Sequence, residues 1–64
     1  MTKKELELID RQLDLEAKLA REYSSYARQM KNPTLRAKCE QIAGAHVNHF
    51  QLLYAMLQKE GKRE

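Results

Sequence analysis

The sequence predicts an all-α protein: a two-helix antiparallel hairpin, expected to pair with a second copy as a four-helix bundle. Three observations carry this. Apolar residues recur at alternating three- and four-residue spacings in both halves of the chain. The only proline lies between the halves, in Lys31-Asn32-Pro33-Thr34, where a turn former meets a helix starter. The 64 residues include two Gly, one Pro and no Trp, with 42% apolar and 33% charged residues, a mix rich in good helix formers.

The first helix is expected over about residues 3–31. Thr2-Lys3-Lys4-Glu5 matches a capping box, in which Thr2 and Glu5 each satisfy a backbone donor of the other. Leu6, Ile9, Leu13, Glu16, Ala20, Tyr23, Ala27 and Met30 form its seam, flanked by Leu8, Leu15, Leu19 and Tyr26. The turn takes residues 32–33, with Asn32 as N-cap and Pro33 as first helical residue, where its missing N–H costs nothing. The second helix is expected over about residues 33–60. Its seam reads Leu35, Cys39, Ile42, His46, His49, Leu53 and Met56, flanked by Ala43, Phe50 and Leu57. Gly61 suits the left-handed position just past a helix end, and Lys59, Lys62 and Arg63 suit a helix C-terminus. Gly44, inside the helix, costs about 1 kcal/mol relative to Ala.

Residues 1–64 make a single helical-hairpin domain. A chain of this size buries only about 60% of the surface its unfolded form exposes, so small scaffolds need a disulfide, a metal or a partner. One cysteine, Cys39, excludes an internal disulfide. Each helix carries an apolar stripe wider than its neighbour covers, which points to a homodimer or higher homo-oligomer.

Several function classes recede. No apolar run approaches the roughly 20 residues of a membrane span. The charged start Met1–Glu7 lacks the apolar core of a signal peptide, so a cytoplasmic location is expected. The net charge of +3 is mild. Its surplus sits near the turn, at Arg28, Lys31, Arg36 and Lys38, without interleaved aromatics, which makes nucleic acid a weak candidate partner. There is no nucleophile–base arrangement, phosphate loop or zinc-finger spacing. Any enzymology must come from the polar residues that interrupt the seams.

Those residues are Glu16, His46 and His49. A carboxylate at a core position costs several kcal/mol unless paired or ligated. Glu16 lies sixteen residues before Asn32, His46 fourteen after and His49 seventeen after. At 1.5 Å per residue they stand about 24, 21 and 25 Å from the turn, at one level of the hairpin. His46 and His49 are three apart and share a face. Glu with two His is a ligand set for a divalent transition metal, Fe or Zn first. A layer of Glu/His hydrogen bonds without metal would instead fix register and symmetry.

Glu16, Tyr23 and Ala27 in Leu15-Glu-Ala-Lys-Leu-Ala-Arg-Glu-Tyr23-Ser-Ser-Tyr-Ala27 resemble the first helix of rubrerythrin-type ferritin-like proteins. Ile42-Ala-Gly-Ala-His46-Val-Asn-His49 resembles their Ile-Ala-x-x-Glu-x-x-His helix. With Asn-Pro-x-Leu-Arg at the turn, nearly the whole chain is also similar to the small spore coat protein F family. The resemblance implies a ferritin-like four-helix bundle with Glu16 and His49 as metal ligands, an iron-type redox or metal-handling role, and a spore-associated setting. Its alternative is a structural or interaction protein of the spore coat type with no metal. His46 stands where the family has a bridging Glu. A dimer would therefore offer two carboxylates rather than four, and the His-rich set favours Zn, Ni, Cu or Fe(II) over Mn.

Overall fold

The computed structural model describes residues 1–61. They form two helices, α1 (Lys3–Gln29) and α2 (Pro33–Gly61), and no strand. The helices pack side by side as a hairpin 49 Å long and 15 Å by 11 Å across.

Local chemistry sets the ends. Thr2 and Glu5 form the full capping box: the Glu5 N–H donates to Thr2 Oγ1 at 3.1 Å, and the Thr2 N–H donates to Glu5 Oε1 at 2.7 Å. That bond to the Thr2 backbone holds the Glu5 carboxyl below its ordinary pKa. At the turn, Asn32 Oδ1 accepts from the N–H groups of Thr34 and Leu35 at 2.9 and 3.1 Å, satisfying donors that the first turn of α2 leaves unpaired. Met30 is extended, with φ −77° and ψ 129°, and closes α1 at Gln29. The Arg36 guanidinium reaches back to the Met30 carbonyl, donating from Nε at 3.1 Å and Nη2 at 2.7 Å. One residue of the basic cluster thus ties the two helix ends together. Gly61 is still helical, and no described residue has a positive φ. The left-handed cap expected at Gly61 is therefore absent, and Lys62 and Arg63 lie outside the described residues.

The core is thin. Among the described residues only Leu13, Ala27 and Ala43 are buried, and two of these are alanines. Along α1 every expected seam residue from Leu6 to Met30 is at least half-covered. Along α2 the covered line differs from the expected one. Cys39, Ala43, His46, Phe50, Leu53 and Leu57 turn inward, while Leu35, Ile42, His49 and Met56 are exposed. The stripe on α2 is broad enough to offer two seams about one residue apart. Packing against α1 selects the one that carries the small Ala43, where backbones can approach closely.

The line left outside has a consequence. Leu35, Ile42, His49 and Met56 are seven residues apart and so run along one edge of α2. On α1, Leu8 and Leu15 share the same sevenfold spacing. Leu8 and Met56 line one groove at the open end of the hairpin, which puts both edges on the same face. Tyr26 continues it toward the turn. The opposite face is polar near the turn, where Ser24, Arg28, Arg36 and Glu40 line a shallow cleft. Among the described residues no helix is long and apolar enough to cross a membrane.

Candidate metal centre

The structure brings Glu16, His46 and His49 together. One ligand atom from each lies within 4.8 Å of the others. His46 Nδ1 is 2.5 Å from Glu16 Oε1, and His49 Nδ1 is 3.4 Å from the same oxygen. The helices place them there by register: at 1.5 Å per residue, the counts from the turn agree to within about one helical turn.

Coverage of the three is uneven. The side chains of Glu16 and His46 are 16% and 20% exposed, whereas that of His49 is 54% exposed. The layer is closed on the hairpin side and open on the apolar face. Tyr23 forms one wall, its ring stacked on His46 at 5.9 Å between centroids and 26° between planes. Tyr26 meets Tyr23 edge-on at 5.5 Å, and His49 meets His46 edge-on at 5.8 Å. Among the described residues no buried side-chain nitrogen or oxygen lacks a partner. The Tyr23 ring lies against His46, a contact that spacing alone does not specify.

The electrostatics follow from this geometry. The Glu16 carboxyl is held below its ordinary pKa, first by the hydrogen bond from His46 and then by the nearby charge of both His when protonated; partial burial opposes the shift. A contact of 2.5 Å between His46 and Glu16 requires a proton between nitrogen and oxygen. Donors bound to one tetrahedral Zn at about 2.0–2.1 Å lie roughly 3.4 Å apart. The His49–Glu16 separation already has that value. The His46–Glu16 pair must open by somewhat under 1 Å and lose its proton, as metal binding to His always requires. The donor set suits a borderline ion, with two imidazoles and one carboxylate. With neutral His it leaves a divalent ion at net charge +1.

Cys39 is half-covered and free. It lies seven residues from His46, about 10 Å along the axis, and so outside this layer. Compared with protein-family models, curated proteins and solved structures, the chain matches none.

Proposed function

We propose that this chain is a metal-binding, ferritin-like half-bundle that holds a divalent transition metal, Fe or Zn first, through Glu16, His46 and His49. The observation that carries the reading is the convergence of the three interruptions of the apolar seams on one layer, with ligand atoms within 4.8 Å of one another. Two largely covered side chains, Glu16 and His46, stand beside the exposed His49, and a carboxylate gathered with two imidazoles has a common use in holding a metal. Such an ion would supply Lewis-acid or one-electron chemistry, or folding free energy alone. Metal handling or a redox role in the cytoplasm or spore fits the resemblance. Self-association as a homodimer or higher oligomer belongs to the same reading, supported by the large apolar side chains left exposed.

The test is metal content. Chain incubated with Zn(II) or anaerobic Fe(II), then desalted, should retain close to a stoichiometric amount by elemental analysis, and chelation should lower its melting temperature. Retention below about a tenth of an equivalent would sink the reading, given the affinities expected of such ligand sets.

One observation favours a second reading, a structural or interaction protein of the spore coat type. The 2.5 Å contact between His46 and Glu16 satisfies the layer with a proton alone. Under that reading metal leaves the melting temperature unchanged.

A further inference from the structure

The apolar face asks what covers it. The chain exposes 5173 Å² of surface. A compact monomer of its 7.5 kDa is expected to expose about 4,250 Å². The excess, about 900 Å², is close to the ~800 Å² that each partner buries in a stable protein interface. Apart from Val47, Leu52 and Tyr54, the exposed large apolar side chains follow the edges that run through Leu8 and Leu15 on α1 and Ile42 and Met56 on α2.

We propose that a second copy of this chain docks on that face, turn against open end, with the two-fold axis crossing the helices at the Glu16/His46/His49 layer. Two features set the direction. First, when two hairpins overlap fully with their ends reversed, only the layer at mid-length meets its own copy. The hairpin is 49 Å long, and the layer stands about 21–25 Å from the turn, which is its middle. Second, the open end carries a groove of about 580 Å³ with Met1, Leu8, Ile9 and Met56 along it and the charged Glu5 and Lys59 beside them, while the turn end carries the half-exposed Leu35. Reversal seats the partner's Leu35 in that groove. A two-fold axis along the helices would instead bring Glu5 near the partner's Lys59 and Glu22 near the partner's Lys38. Those exposed, solvent-screened ion pairs contribute little, and groove would face groove, leaving unfilled space where packing contacts are lost.

The consequence for the site rests on the metal-binding reading above. His49, the most exposed of the three side chains, lies on the docking face. The partner's His49 comes to the open side of the layer, so donors beyond the chain's own three come from the second copy.

The experiment uses two single-cysteine chains, Leu35→Cys and Met56→Cys, each in a Cys39→Ser background; both sites are exposed. Circular dichroism first confirms that each keeps the helix content of the parent chain. On mild oxidation the mixture should form a covalent 35–56 dimer, and neither chain alone should do so. Self-crosslinking of either chain as readily as the mixture would overturn the proposal, and so would a mixture that does not crosslink. Sedimentation of the unaltered chain, in chelator and in Zn(II), separates the two ideas. A dimer in either buffer supports the docking, and a monomer in both overturns it. A dimer in chelator that takes up no Zn(II) sinks the metal reading and leaves the docking standing.

Discussion

Two regions of the same helix pair close in different ways. Leu13, Ala27 and Ala43 are buried by the hairpin itself. The Glu16/His46/His49 layer, set between Leu13 and the alanines, is covered on one side only. At the first three positions an apolar side chain meets the other helix and nothing further is needed. At the polar layer, the groups that tolerate water face the side a metal or a partner can reach. A two-helix protein can close completely only where its residues are small or well matched in shape. The Glu16/His46/His49 cluster sits where closure stops.

The closed positions should break first. Leu13→Ala removes a buried side chain from a core of three residues and is expected to cost about 2–5 kcal/mol, enough to abolish a cooperative thermal melt in so small a domain. A melt unchanged by more than a degree or two would show that the hairpin core is not where stability resides.

The open layer should respond in the opposite sense. Glu16→Leu with His46→Leu is expected to abolish Zn(II) uptake. In chelator the variant should be at least as stable as the parent, because apolar side chains replace both members of the partly covered pair. Retained uptake in a Zn(II) titration would remove these residues from the site, and loss of folding in chelator would make the polar layer a requirement of the fold.

Smaller changes sharpen the contrast without touching either region. Asn32→Ala deletes the acceptor of two backbone N–H groups at the turn and should cost about 1 kcal/mol in a urea melt. Gly44→Ala adds a Cβ that meets nothing within 4 Å inside α2, and should add about 0.5–1 kcal/mol. A destabilised Gly44→Ala chain would mean that something packs on that surface.

The least effect is pH-dependent. The Glu16 carboxyl has a folded pKa below its ordinary 4.5, chiefly through the hydrogen bond from His46. A depressed pKa contributes stability that is full above the ordinary value and lost as pH falls through the folded one. In chelator the melting temperature should therefore drop below about pH 4.5, and Glu16→Gln should flatten part of that drop. Glu5, lowered by its bond to Thr2, contributes in the same direction, so Glu5→Gln is the control that separates cap from layer. An acid limb unchanged by Glu16→Gln would show that the layer contributes nothing there.

Much of this was legible in the residues alone. The capping box at Thr2 and Glu5, the cap at Asn32 and the helix start at Pro33 are local chemistry, set by backbone groups within four residues of one another. The level shared by Glu16, His46 and His49 is also arithmetic, because helical rise is constant and one turn fixes the fold point. What the residues left open was rotation. A stripe as broad as that of α2 is compatible with two seams, one through Ile42, His49 and Met56 and one through Ala43, Phe50 and Leu57. Spacing is blind to the choice, since both repeat every seven residues. Only packing against α1 decides it, through the space available at Ala43. The same choice turns His49 outward, stacks Tyr23 on His46 and leaves an apolar face exposed, because those relations depend on contacts between residues far apart in sequence.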